Sequence, residues 1–150
     1  MRQIGVDVSW STMEDRLSIE KLFNNRTKLI YIETPSNPLL KLSDISMVAS
    51  VANAHSLVSV IDNTFASPIN QNPILMGVDE VIQSGTKYLG GHSDISAGAA
   101  VFGEKHKDRI WKQALNLGGN LDSRISYLLD RSIKTLALRV KSQNENAQAL

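Results

Sequence analysis

Four short runs of apolar and β-branched residues punctuate the chain, at 28–32, 57–61, 81–83 and 98–102. Their length, and the polar or glycine-bearing stretches that bound them, predict buried strands. Between the first two runs the period changes. Ile45, Val48, Ala49 and Ala52 fall at helical spacing within 43–54, with Ser43 placed to cap the start. A second long helix is predicted over 104–117, with Ile110, Trp111, Ala114 and Leu115 on one side and Gly118-Gly119 as its stop. A third is predicted from 122 to about 140. Its apolar stripe is Leu121, Ile125, Leu128, Leu129, Ile133 and Leu136, while Arg124, Arg131 and Lys134 occupy the other faces. A shorter helix near 18–23 and a helical turn at 71–76 complete the pattern.

Strand, helix, strand, then strand again after a short turn is the alternation of an α/β domain with a mostly parallel sheet. No internal repeat, low-complexity tract or linker divides the 150 residues, so one domain is expected. The C-terminal segment, Asn144 to Leu150, carries no cap or stop signal and reads as a helix still in progress. The N-terminal Met1-Arg2-Gln3-Ile4-Gly5 lacks the apolar stretch of a signal peptide.

Composition narrows the function classes. Sixteen basic and fifteen acidic residues leave a net charge of +1 with no long run of one sign. A nucleic-acid binder would need clustered phosphate-neutralising charge, so that class is set aside. No apolar run is long enough to span a bilayer, and a membrane role is set aside too. Cysteine is absent, which removes disulfides and thiolate metal sites and fits a reducing, cytoplasmic setting.

In open parallel sheets ligands bind beyond the carboxyl ends of the strands. Each of the first three predicted strands runs into reactive residues. The first meets Glu33-Thr34-Pro35-Ser36-Asn37-Pro38 and the second Asp62-Asn63-Thr64-Phe65. The third meets Ser84-Gly85-Thr86-Lys87-Tyr88, followed by Leu89-Gly90-Gly91-His92-Ser93-Asp94. Pyridoxal phosphate is a cofactor that wants these groups together. Its aldehyde takes a lysine amine, its ring nitrogen a carboxylate that keeps the pyridinium protonated, and its phosphate short hydroxyls and backbone N–H groups. Lys87, Asp62 and the pair Ser84 and Thr86 supply one of each. Residue types alone leave plainer readings open: an Asp at a strand end often caps a turn, and a lone Lys is usually a solvated charge. His92 and Asp94 lack a third ligand at metal-site spacing, so no metal is expected. His55 reads as a structural residue at a helix end, and His106 as an exposed residue without a role. Trp10 and Trp111 read as packing residues.

The three strand-end blocks resemble, in order and with matching gaps, those of the pyridoxal-phosphate enzymes of cysteine and methionine metabolism. That family includes cystathionine gamma-synthase, cystathionine gamma- and beta-lyase, methionine gamma-lyase and O-acylhomoserine sulfhydrylase. Lys134-Thr135-Leu136 with Arg139-Val140 is similar to the family's next block. The resemblance implies an aspartate-aminotransferase-like (type I) fold. It implies that Lys87 is the Schiff-base lysine and proton carrier, Asp62 the pyridinium partner, and Ser84 and Thr86 phosphate ligands. Thr64 would lie against the ring, and Asn37 near the ring hydroxyl and substrate. The activity implied is elimination or replacement at the β or γ carbon of a sulfur-containing or homoserine-derived amino acid, in a homo-oligomer (a dimer of dimers). Family members are far longer than this chain. Residues 1–150 would be the central part of the cofactor-binding large domain, with the N-terminal arm and C-terminal domain outside it. Taken alone they would be a truncated, non-catalytic fragment. Gly85, Glu80, Ser123 and Ser132 depart from the family's usual residues, which are small apolar, apolar, Pro and Gly in turn.

Overall fold

The computed structural model describes residues 4–150. Along the chain come α1 (Arg16–Glu20), β1 (Leu29–Glu33), α2 (Ile45–Ala54), β2 (Val58–Asp62) and α3 (Ser67–Asn70). A 3-10 turn (Pro73–Met76), β3 (Glu80–Ser84) and a wide helical turn (Gly85–Leu89) follow, then β4 (Gly98–Phe102). Three helices close the chain: α4 (Glu104–Leu117), α5 (Ser123–Ile133) and α6 (Leu136–Gln148).

The strands lie in sequence order in one sheet. β1, β2 and β3 run parallel, with Glu33 opposite Asp62 and Asp62 opposite Ile82. β4 returns antiparallel to β3, with Ser84 opposite Gly98. Parallel neighbours need a crossover, and α2 provides it between β1 and β2. The alternation of strand side chains sends Ile30 and Ile32 toward α2 and leaves Leu29 and Tyr31 on the open face. The main core is Ile45, Val48, Ala49, Val51 and Ala52 of α2 against Ile30, Ile32, Ile61 and Val81, closed by Ile19 and Val78. Each buried Ile or Val contributes roughly 1.5–3 kcal/mol, so this layer fixes the sheet.

Several expectations change. The cap of α2 is Asp44, whose carboxylate accepts from the Met47 N–H at 2.9 Å. Ser43 is spent on the preceding loop, where its N–H donates to Thr34 Oγ1. The helix expected over 122–140 is two helices. Thr135 leaves helical geometry (φ −105°, ψ 1°) and its hydroxyl donates to the Ser132 carbonyl at 3.1 Å, a side-chain bond that competes with the helical ladder. The tryptophans do not pack inside: Trp10 is 88% and Trp111 63% exposed.

Helix α4 buries none of its residues and is held by charge instead. Lys105 pairs with Asp79, while Arg109 Nη2 lies 2.6 Å and His106 Nδ1 3.1 Å from Glu80 Oε1. The largely buried His106 ring therefore sits among the charged partners at the start of β3, not idle at the surface. The same cluster gives the Glu80 carboxylate its partners. Asp79 also ties β3 to β2, because its Oδ2 accepts from the Ser59 N–H and hydroxyl, each at 2.9 Å. Burial raises the Asp79 carboxyl, but the Lys105 ammonium and the Ser59 donors outweigh it and hold it at about 2. A carboxyl lowered in the folded state stabilises it above the unfolded value of 3.8 and loses that contribution as pH falls toward 2. Stability measured by denaturant titration should therefore decline between pH 4 and pH 2, and Asp79→Asn should be less stable at neutral pH with a flatter decline in that window. An Asp79→Asn curve parallel to the wild type would contradict this account.

Candidate active site

The parallel register brings the three polar blocks to one edge of the sheet. Asp62 is the last residue of β2 and faces Glu33 at the end of β1. Two residues on, Thr64 folds back. Its N–H donates to Asp62 Oδ1 at 2.9 Å, the local turn a strand-end Asp commonly makes. Its hydroxyl accepts from the Ser84 N–H at 2.7 Å, so the ends of β2 and β3 are joined by one side chain. Asp62, Thr64 and Ser84 thus form a continuous bonded chain, with Lys87 three residues beyond Ser84.

Tyr31, which residue patterns did not single out, reaches the same carboxylate: its hydroxyl lies 3.5 Å from Asp62 Oδ2. Burial, then the charges of Asp62 and Glu33, raise the Tyr31 phenol above its ordinary value. It therefore stays protonated at neutral pH and can only donate toward Asp62. The strand alternation that puts Tyr31 and Asp62 on one face was the available signal.

Lys87 occupies the wide turn Gly85–Leu89 and is exposed, with backbone angles (φ −90°, ψ −120°) that depart from the helix around it. The turn is closed by Gly90 N–H to the Gly85 carbonyl at 2.8 Å and by Gly91 N–H to the Lys87 carbonyl at 2.7 Å. Thr86 fastens it to the approach to β4: Oγ1 accepts from the Ala97 N–H at 3.1 Å and lies 3.5 Å from the Ala97 carbonyl. Gly85 is explained by crowding. A Cβ there would lie 2.8 Å from the Ala97 Cβ, so a larger residue requires this approach to shift. Asn37 lies in the loop beyond β1, exposed, with its N–H donating to Glu33 Oε1 at 3.3 Å. Its link to the other candidates runs through Glu33 rather than by direct bonding.

Beneath the edge lies a buried amide pair to which the residue pattern assigned no role. Asn63 is fully buried, and its Nδ2 donates to the Gln71 carbonyl at 3.1 Å. Gln71 Nε2 donates to Asn63 Oδ1 at 2.7 Å and to the Thr34 carbonyl at 3.0 Å. The loops after β1 and β2 are thereby locked together under the candidate residues. No cluster of three or more metal-type ligands exists among the described residues.

A parallel α/β sheet presenting lysine, carboxylate and hydroxyls at its carboxyl edge defines the class of an organic-cofactor-binding domain. The chain matches, over residues 1–150, the family described as Cys/Met metabolism PLP-dependent enzyme, and it belongs to that family. It is 44% identical over 144 residues to a cystathionine beta-lyase of Lactococcus lactis subsp. cremoris, covering 95% of this chain and 37% of that protein. It is 39% identical to the cystathionine gamma-lyase of Bacillus subtilis, covering 100% of this chain and 40% of the relative. Among solved structures, cystathionine gamma-lyase from Lactobacillus plantarum, complexed with L-serine, superposes with a TM-score of 0.89 at 42% identity. That match covers 91% of this chain and 36% of the other. The chain thus spans two fifths or less of the length of these relatives. The fold is the expected partial α/β domain of the pyridoxal-phosphate lyases.

The donor set fits pyridoxal phosphate. Asp62 offers a carboxylate whose Oδ1 is anchored by Thr64. The Thr86 hydroxyl receives a bond from Ala97 and can turn its own proton outward. Ser84 begins the turn that carries Lys87. The Asn63 amide should matter to the frame that supports these groups. Asn63→Ala would strand the Gln71 carbonyl and leave its side-chain amide only the Thr34 carbonyl, and should lower unfolding free energy by about 1–3 kcal/mol in denaturant titration. A loss below about 0.5 kcal/mol would mean the amide pair does not lock the loops.

Proposed function

We propose that the protein carrying this chain eliminates or replaces a substituent at the β or γ carbon of a sulfur-containing or homoserine-derived amino acid, with Lys87 as its cofactor-linked catalytic base. One observation carries the reading: a carboxylate, a hydroxyl and the lysine turn are joined in one bonded path, Asp62–Thr64–Ser84, at the carboxyl edge of a parallel sheet. The names of the relatives, cystathionine beta-lyase, cystathionine gamma-lyase and cystathionine gamma-synthase among them, support the substrate class.

Bound at this edge, pyridoxal phosphate supplies an electron sink for the charge left when a proton or substituent departs. Asp62 would hold a proton on the ring nitrogen by offering its carboxylate there. Ser84 and Thr86 would donate hydroxyl protons to the phosphate. Thr64 would serve the ring, and Asn37, on the β1 side, the ring hydroxyl and the substrate. The Lys87 amine would anchor the cofactor and, once free, would take the proton from the substrate α-carbon. General acid–base transfer of this kind contributes roughly 10²–10⁴-fold. Among the described residues no helix is long and apolar enough to cross a membrane. We place the enzyme in the cytoplasm, as a homo-oligomer acting on a small amino-acid substrate without nucleic acid.

A second reading concerns these 150 residues by themselves: a piece that keeps the lysine anchor but does not turn over. The exposed apolar side chains Leu29, Tyr31 and Ile82 on the open face of the sheet favour it. Borohydride reduction after incubation with pyridoxal phosphate, followed by peptide mass spectrometry, should place a pyridoxyl group on the peptide carrying Lys87. Lys87→Ala should show neither the adduct nor turnover of cystathionine. Turnover by Lys87→Ala, or an adduct on another lysine alone, would remove the assignment. Turnover by the isolated 150 residues would remove the second reading.

A further inference from the structure

The wide turn that presents Lys87 is held from behind by one side chain on a distant helix. Arg139, on the first turn of α6, reaches across about fifty residues of chain. Its Nη1 donates to the Tyr88 carbonyl at 2.8 Å and its Nη2 lies 3.3 Å from the Leu89 carbonyl. The same guanidinium binds the α5–α6 corner: Nη2 donates to the Ser132 carbonyl at 3.0 Å and Nε to Thr135 Oγ1 at 3.1 Å. Three nitrogens of one planar fork thus bridge four acceptors, two of them the carbonyls directly following Lys87.

Two further features are shaped around this contact. Gly91 has φ +77°, and a Cβ on it would collide with the Arg139 guanidinium. Beside the fork, Leu89 plugs into a small apolar cluster with Leu136 and Val140, to which Tyr88, Ala99 and Leu129 add. The lysine turn is therefore seated on the helical corner by one apolar plug and one charged clamp. Charge-assisted bonds from a guanidinium are stronger than neutral ones and fix direction as well as distance. A lysine ammonium is a point charge without the fork and cannot span these acceptors.

We propose that Arg139 is a positioning residue for Lys87. By fixing the Tyr88 and Leu89 carbonyls it sets the backbone from which the Lys87 amine is delivered, and so the approach of that amine to its reacting partners. The proposal rests on Lys87 being the cofactor-linked lysine. The Arg139 guanidinium is spent on three backbone carbonyls and the Thr135 hydroxyl, so its loss should appear in how the lysine reacts rather than in whether substrate binds.

The test compares the wild-type protein with Arg139→Leu, Arg139→Lys and Asn144→Ala. The last loosens α6 elsewhere, because Asn144 bonds Asn70 of α3 at 2.7 Å. Two readouts are followed besides thermal unfolding: the pH midpoint of the absorbance band of bound pyridoxal phosphate, and the rate at which borohydride traps the cofactor on Lys87. Arg139→Leu should shift the midpoint and lower kcat by about 10–100-fold with KM within about threefold, since small misplacement of a reacting group has costs of that order. Arg139→Lys should recover only part of this, and Asn144→Ala should lower the unfolding temperature without moving the midpoint. Should Arg139→Leu fail to fold, Arg139→Lys decides the matter by the same readouts. Wild-type midpoint and trapping rate in a folded Arg139 variant would overturn the proposal, as would an equal shift in Asn144→Ala. Absence of any Lys87 adduct in the wild type would instead overturn the assignment of Lys87 on which the proposal stands.

Discussion

Everything at the candidate site depends on the parallel pairing of β2 with both of its neighbours. A parallel register places the carboxyl ends of β1, β2 and β3 side by side, and only then do Glu33, Asp62 and Ser84 share one edge. The pairing is enforced from both ends of β2. At its start, Ser59 and Asp79 exchange bonds with β3, and at its finish the Thr64 hydroxyl receives the Ser84 N–H. The apolar layer against α2 supplies the adhesion, since Ile61 is fully buried beneath it. Polar bonds then choose the register. A slip by one residue would turn Asp62 toward α2 and its core face, which makes that register costly.

Much of this frame could be read from the order of residues. The strands and α2 follow from apolar periodicity, because burial against a helix is what that periodicity encodes. Lys87, Asp62, Ser84 and Thr86 could be proposed as a set because the chemistry of one cofactor needs such groups at strand ends. What was not legible lies in contacts between residues far apart in the chain. Nothing around His106 announces that Asp79 and Glu80 will stand beside it, and nothing around Arg139 announces the Tyr88 carbonyl. Ser43 and Asp44 are both good caps, and the helix start at Ile45, with the Asp44 carboxylate on the Met47 N–H, decides between them. The break at Thr135 was hidden because the apolar stripe runs on through it, with Leu129 and Leu136 both packing beside Leu89.

The two ends of the sheet are built on different physics. At the end where β2 and β3 begin, α4 buries no side chain and is held by ion pairs whose strength depends on salt and pH. Its apolar residues Trp111, Leu115 and Leu117 remain in solvent. At the other end, the carboxylates of Glu33 and Asp62 accept from backbone N–H groups. The Arg139 fork is spent wholly on uncharged acceptors. The clamp behind the lysine turn thus needs no charged partner.

Tyr31 shows how far this reasoning carries at the site itself. Its phenol shares the exposed face of β1 with Leu29, yet its hydroxyl points to Asp62 rather than to water alone. At 3.5 Å and partly exposed, the bond is weak and replaceable. A ring nitrogen arriving at Asp62 Oδ2 would offer a charge-assisted bond of about twice the strength of a neutral one. The carboxylate would then exchange a long phenolic donor for a cationic one, while Oδ1 keeps its bond to the Thr64 N–H. Asp62 is thus oriented by one contact to the Thr64 backbone and met by one long contact from Tyr31 that a stronger donor would displace.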